Sequence, residues 1–384
     1  MNLNLSTTIV SLRISRLAIA SFFFISGFGF STWASRIPSQ QQLLGLNEAQ
    51  LGTVLFAMPL GLILTLPVTG MLIGRYNSRA VLLAGALAVS GILSVMGWVN
   101  QTWQLAFMLF CFGAARNMLS ISVNAQSVSL QAMYDRSIIS SFHGIWSVSG
   151  FAGAGLGALM VALNIAPSYH FLGVSLLLMA VAILLFPYTL PEPPTRGAVR
   201  SGFVLPDKTL VKFGMMSFAA MACEGTLYDW GAVYFQKAVQ APKAYITMGL
   251  IVYMIAMTVG RFSGDWLVNQ FSQRVILRAS GLLMTAGLLL AAAWPSLLPA
   301  SIGFIMVGFG GSCVIPLVMR MATTQDTGAA TGSVITAVST VSYFGFLIVP
   351  PIIGFLAEAL NLRWSFALMS LFGVVIIWLV GRVK

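Results

Sequence analysis

Acidic side chains are scarce in this chain: nine Asp and Glu stand among 384 residues, and with twenty Lys and Arg the charged fraction reaches only 8%. A soluble domain carries roughly 25% charged residues, so water is excluded as the main solvent. Histidine occurs twice and cysteine three times, which leaves little material for a clustered metal site or a disulfide framework. Cys111, Cys223 and Cys313 all fall inside apolar runs, where packed thiols are expected. The chain also lacks a Gly-x-Ser-x-Gly elbow, a His-Glu-x-x-His pair and a phosphate-binding glycine loop. An enzyme is therefore not expected, and neither is a cofactor nor a resident metal. Long polar segments are missing too. Apart from Pro191 to Lys212 the stretches between apolar runs are short, so no soluble domain has room to fold.

What fills the chain is hydrocarbon, with 58% hydrophobic residues and a mean hydropathy of +0.91. Breaks at polar, proline-containing or charged positions leave apolar runs near 16–34, 50–73, 79–99, 103–125, 137–163, 170–190, 211–236, 244–268, 275–294, 297–321, 331–358 and 362–383. Each can cross a core of about 30 Å as a helix, which predicts an all-α membrane protein of twelve transmembrane helices. Arg13 and Arg16 before the first run resemble the start of a signal peptide. The stretch from Leu17 to Ala34 is too long for one and has no small-residue cleavage site before Arg36, so it reads as the first span.

The basic residues then set an orientation. With residue 1 inside, fourteen Lys and Arg fall in inner segments and four, Arg36, Lys237, Lys243 and Arg363, in outer loops. That bias places both termini in the cytoplasm and turns the net charge of +11 into a topology signal, so a nucleic-acid partner is not expected.

Read against itself with an offset of 195 residues, the chain aligns Gly70-Met-Leu-Ile-Gly-Arg-Tyr-Asn-Ser-Arg79 with Asp265-Trp-Leu-Val-Asn-Gln-Phe-Ser-Gln-Arg274, Gly113 with Gly308 and Gly150 with Gly345. One membrane unit is present twice. This predicts two pseudo-symmetric six-helix bundles, residues 1–190 and 211–384, joined by a cytoplasmic linker at 191–210. Tandem half-repeats are how secondary transporters are built, with the substrate site where the halves meet.

Polar residues at membrane depth are the place to look for function. Glu224 lies about 20 Å into the seventh span, near the midplane. Asp229 follows on another helix face, Arg116 is just inward of the middle of the fourth span, and His143 lies at a comparable depth in the fifth. Asn117, Ser120, Asn124 and Ser127 share one helix face. Ser140, His143 and Ser147 repeat the pattern, as do Thr336, Ser339 and Tyr343. Such stripes act either as hydrogen-bond glue between helices or as the wall of a water-accessible path. Glu224 either pairs permanently with a base such as Arg116 or carries a coupling proton, and the second role is the one adopted. Arg261, within reach of the inner interface, reads as a snorkelling side chain.

Thr32-Trp-Ala-Ser-Arg-Ile-Pro38, Leu46-Asn-Glu-Ala-Gln-Leu-Gly52, Asn124-Ala-Gln126, Ser141-Phe-His-Gly144, Glu224-Gly-Thr-Leu-Tyr-Asp-Trp230 and Gly260-Arg-Phe-Ser-Gly-Asp265 carry a resemblance to the major facilitator superfamily. Within it, the chain resembles the bacterial branch containing YbjJ and the rhizopine permease MocC. The resemblance covers essentially the whole length. It implies cavity or gating roles for Asn124, His143, Glu224, Asp229 and Trp230. It also implies loop gating by Gly70, Arg75, Arg79, Asp265, Asn269 and Arg274, and a monomer. The superfamily's loop motif carries an Asp followed by Arg where this chain has Gly74-Arg75 and Asn269-Gln270, so both of its acids are missing. Gly144, Gly153 and Gly157 match part of an antiporter signature, but Ala158 and Val161 break it, so export is not inferred.

The expectation is an inner-membrane, multi-pass transporter working by alternating access with proton coupling. Its partners are the lipid bilayer, protons and a small solute. The residues expected to line its site are Trp33, Arg116, Asn117, Asn124, His143, Glu224, Tyr228, Asp229, Trp230, Tyr253 and Tyr343. Their amide, hydroxyl and aromatic groups suit a sugar or polyol. A drug or metabolite exporter is the nearest alternative, and a solute sensor of transporter fold is the alternative from another class.

Overall fold

The computed structural model describes residues 12–135, 138–191, 210–324 and 331–382, and among these it is helical throughout. The expected linker lies almost entirely outside the described residues. Before it come α1 (Leu12–Ala34), the short α2 (Ile37–Leu44), α3 (Glu48–Leu64), α4 (Leu66–Tyr76), α5 (Ser78–Met96), α6 (Thr102–Gln131), α7 (Ile139–Ala162) and α8 (Pro167–Leu185). After it come α9 (Val211–Lys237), α10 (Met248–Gln270), α11 (Gln273–Ala293), α12 (Leu297–Gly311), α13 (Val314–Thr323), α14 (Thr331–Ala359), α15 (Leu362–Met369) and α16 (Leu371–Val380).

Among the described residues ten spans are long and apolar enough to cross a membrane, with α12–α13 and α15–α16 each making one crossing. The pair α3 and α4, bent by 42°, makes an eleventh. Pro67 in the first turn of α4 accounts for that bend, because it has no N–H to continue the ladder. Thr65 at the corner donates its hydroxyl to the Gly61 carbonyl at 2.7 Å. The twelfth expected span is α9, which is long enough at 27 residues. Glu224 and Asp229 lower its hydropathy, and the helix is buried along most of its length.

The internal repeat appears as a repeated packing scheme. α1 packs on α7 as α9 packs on α14, α3 on α6 as α10 on α12, and α5 on α8 as α11 on α16. The offset of 195 even survives at the level of single contacts. A Cβ on Gly113 would overlap the backbone carbonyl of residue 58, and one on Gly308 would overlap the backbone carbonyl of residue 253. Close backbone approach of this kind is how helices associate where lipid removes the hydrophobic drive.

Two short motifs fix the corners. Arg36 is buried after α1 and donates through Nε to His170 Nδ1 at 3.1 Å and through Nη2 to the Ile165 carbonyl at 2.8 Å. Burial lowers its pKa to about 10, so it stays charged at neutral pH and His170 accepts through Nδ1. Asn47 and Gln50 form a reciprocal capping box at the start of α3.

Outward-facing surfaces are apolar, with exposed Tyr76, Trp266 and Trp378 on the face where α1 begins and α16 ends, and Trp98, Trp103, Tyr169, Trp294 and Trp364 at helix ends on the far face. Two aromatic girdles match the interfaces of a bilayer.

Replacing Gly113 with Ala should lower stability by about 1–3 kcal/mol, because the overlap is with backbone that cannot rotate away. Gly155 has open space around its would-be Cβ, so Gly155→Ala should be neutral or stabilise by up to about 1 kcal/mol through helix propensity. Thermal unfolding of the two variants in one detergent checks the contrast.

Candidate functional site

A cavity of about 960 Å³ lies between the halves. Its walls come from α1 (Phe23, Ser26), α6 (Arg116, Ser120, Asn124), α7 (His143, Trp146, Ser147), α9 (Glu224), α10 (Thr258, Arg261, Phe262, Asn269) and α13 (Pro316, Arg320). Exposed Asn269 and Arg320 stand at its mouth, on the face where α1 begins and α16 ends.

At depth the wall is charged. Arg261 Nη2 lies 3.8 Å from Glu224 Oε1, while Nη1 donates to Ser147 Oγ at 3.1 Å. One guanidinium thereby ties α9 and α10 of the second half to α7 of the first. The guanidinium also sits 5.9 Å from the Trp146 ring. The Glu224 side chain is 12% exposed and that of Arg261 33%, so the pair faces open space. Arg116 stacks on the Phe30 ring at 3.9 Å and points Nη1 at Met58 Sδ at 3.9 Å. His143 meets the Phe23 ring edge-on at 5.5 Å. Asn124 donates to the Ser120 carbonyl at 2.8 Å.

Of the residues expected to line a site, Arg116, Asn124, His143 and Glu224 meet at this cavity. The others do not. Asn117 donates to Thr69 Oγ1 at 2.9 Å and to Thr65 Oγ1 at 3.4 Å, holding the bend between α3 and α4 against α6. Trp33 is fully buried beside Phe171, and Trp230 is fully buried in α9. Tyr228 packs between Phe30 and Tyr253, with ring centroids 5.1 and 5.4 Å away. With Arg116 above it, this aromatic layer forms a seal across the two halves. Asp229 is 4% exposed, and no ion pair reaches it among the described residues, although Arg116 acts on it electrostatically. Tyr343 on α14 is outside the cavity wall.

Two sequence readings change. Arg261 does not snorkel; it turns toward Glu224 and Ser147, which two other helices offer it as partners. Glu224 pairs with Arg261 rather than with Arg116. Asn269, expected as a gating-loop residue, is part of the cavity wall. Arg79 caps the end of α8 by donating to the Phe186 and Pro187 carbonyls at 3.3 and 3.0 Å. Arg75 lies 5.3 Å from the Tyr76 ring, Gly70 is within α4, and Arg274 is exposed in the first turn of α11. The side chain of Asp265 lies outside the described residues.

The far end is shut. α3 crosses α14 so closely that a Cβ on Gly52 would come within 2.6 Å of the Pro350 carbonyl. Lys237 Nζ meets Glu48 Oε1 at 2.6 Å. Glu358 of α14 accepts from the Glu48 N–H at 3.2 Å and from Asn47 Nδ2 at 3.4 Å, capping α3 from the other half.

Comparison with known proteins agrees with this arrangement. The model of the Major Facilitator Superfamily matches residues 19–251 and 213–383. The chain is 31% identical over 349 residues to a Yersinia pestis protein described as an uncharacterized MFS-type transporter, covering 91% of this chain and 90% of that one. It is 28% identical to the membrane protein MosC of Rhizobium meliloti, covering 95% of this chain and 89% of MosC. Two solved structures share the fold. The nucleoside transporter NupG has a TM-score of 0.79 at 12% identity, covering 96% of this chain and 99% of NupG. The E. coli fucose:proton symporter FucP has a TM-score of 0.61 at 16% identity, covering 97% of this chain and 99% of FucP. Helices repeated as two packed halves, a polar cavity between them, and a family match over nearly the whole length have one explanation: the chain belongs to the Major Facilitator Superfamily of membrane transporters.

Proposed function

We propose that this protein is a proton-coupled secondary transporter that moves a small, hydroxyl-rich polar solute by alternating access. It acts as a monomer in the bacterial inner membrane with both termini cytoplasmic. The bundles 1–190 and 211–384 are the moving bodies, joined through the linker at 191–210. The observation that carries this reading is the cavity walled by both halves, with charged groups at depth, a mouth on one face and a seal toward the other. A two-sided wall lets one rocking motion transfer a solute from face to face.

In this reading Arg116, Asn124, His143 and Glu224 form the binding surface. Trp33, Asn117, Tyr228, Asp229, Trp230, Tyr253 and Tyr343 support it or meet solute only in other states of the cycle. Glu224 carries the coupling proton. Deprotonated, it holds Arg261; protonated, it leaves Arg261 to Ser147 on the opposite half, so proton occupancy alters a contact between the halves. The name of FucP, a fucose:proton symporter, agrees with proton coupling, and those of FucP and NupG, a nucleoside transporter, agree with a hydroxylated solute.

The test is solute-driven proton movement in proteoliposomes loaded with a pH-sensitive dye, screened over sugars, polyols and their acids. One chemical class should move protons with wild type. Glu224→Gln should abolish that movement while solute exchange between the two faces persists, weakened by the altered wall. Proton movement that persists in Glu224→Gln would place coupling elsewhere.

Opening of the far face requires the contacts of Glu48, Lys237 and Glu358 to break. Lys237→Glu should favour that opening by about 0.2–1 kcal/mol and slow thiol labelling of Cys313 in the cavity wall. The swap Glu48→Lys with Lys237→Glu should restore the labelling rate. An unchanged rate in Lys237→Glu would remove the pair from the gate.

A further inference from the structure

The charge of the cavity wall is lopsided. Among the described residues three guanidinium groups line it, those of Arg116, Arg261 and Arg320, against one carboxylate, Glu224. That carboxylate is already taken by Arg261 at 3.8 Å. Arg116 has no ion pair among the described residues. Its neighbours are the face of Phe30 and the sulfur of Met58, neither of which neutralises a cation, and its Nε has no hydrogen-bond partner. Asp229 acts on Arg116 from inside the wall, but it makes no ion pair and does not reach the cavity. The described lining therefore carries a formal excess of two positive charges, between low-dielectric walls that focus the field.

We infer that the cargo is anionic: a small hydroxylated solute bearing a carboxylate or a comparable acid, drawn in past Arg320 and met at depth by Arg116. This rests on the reading of the cavity as the transport site and specifies the charge of what enters it. Guanidinium groups present paired N–H donors that match the two oxygens of a carboxylate. The hydroxyls of Ser120 and Ser147 and the amide of Asn124 remain for the neutral part of the solute. A cationic solute would meet Arg116 and Arg320 before it reached Glu224, and Glu224 is occupied.

Cys313 is in the cavity wall, 6% exposed with its thiol donating to the Gly260 carbonyl at 3.5 Å, and it serves as a probe when that contact opens. With Cys111 and Cys223 changed to Ser it is the sole thiol of the full-length protein. Its labelling rates are compared for a sulfonate-bearing and a trimethylammonium-bearing methanethiosulfonate of equal length, each normalised to its rate with mercaptoethanol. The anionic reagent should be favoured by about tenfold or more. That preference should fall severalfold in Arg116→Gln. In protein with Arg116 intact it should also fall at 1 M salt, where the screening length is about 3 Å, which keeps the test independent of whether the variant folds. A hexuronate should protect Cys313 where the hexose and the hexosamine of the same ring do not. Equal rates, a preference for the cationic reagent, or protection by the hexosamine instead would overturn the anionic assignment while leaving the transport reading in place. Labelling by neither reagent, both at Cys313 and in Ser120→Cys at an exposed position of the same wall, would refute the water-filled cavity, and the assignment would fall with it.

Discussion

Hydrocarbon accepts no hydrogen bonds, so a polar group in a membrane helix must be met by protein or by water reaching in from a face. That constraint sorts the polar residues of this chain into two sets. Asn117 is consumed by Thr65 and Thr69. Gln126 is consumed by Ser78 and by both backbone groups of Leu190. The Tyr234 hydroxyl goes to the Ala291 carbonyl at 2.7 Å. These groups hold helices together and are spent in doing so. Arg116, Asn124, His143 and Glu224 belong to the second set, left facing the large space between the halves. The cavity is thus the place where the constraint is relaxed.

The same constraint explains why so much was legible in the sequence. Spans follow from the length of apolar runs, and the two halves follow from the offset of 195, which the contacts at Gly113 and Gly308 reproduce. What spacing along a helix could not supply was the partner. Arg261 was read by its depth alone, yet its role is set by Ser147 and Glu224 on two other helices. Asn117 and Asn124 share a face of α6 by their spacing. At the level of Asn117 that face is covered by Thr65 and Thr69, and at Asn124 it is open to the cavity. Helical period gives direction around an axis, not the depth at which neighbouring helices part. The aromatic residues misled for a related reason: an amphipathic ring suits a binding wall and a dry seal equally, and Tyr228 and Tyr253 form the seal.

Contacts within each half and between halves both use close glycine approaches, and differ in the side chains that surround them. Inside a half, backbones meet at glycines with buried apolar side chains packed around them. Such close packing has no intermediate arrangement to slide into. Between halves at the far face, the crossing of Gly52 and Gly354 presents little side-chain relief to interlock. The charges beside it, Glu48 and Lys237, are 20% and 36% exposed, where an ion pair contributes at most about 1 kcal/mol. A joint with smooth surfaces and weak, wet latches separates more readily than the bundles it joins. This favours motion between halves over motion within them.

The same asymmetry bears on coupling. Arg261 touches both halves at once, through Ser147 on α7 and Glu224 on α9. Were Glu224 sealed away from water, its pairing with Arg261 would be permanent and useful only for packing. Were it fully exposed, its charge state would matter little to the fold around it. At 12% exposure in the cavity wall, it is reachable by protons and still close enough for its charge to decide what Arg261 binds. A solute anion entering that space competes for the same guanidinium. Linkage then works in both directions: whatever proton occupancy does to the affinity for the anion, the anion does equally to the affinity for the proton. An acid, a base shared between halves and an uncompensated second base are sufficient for that coupling, and no further group need be invoked.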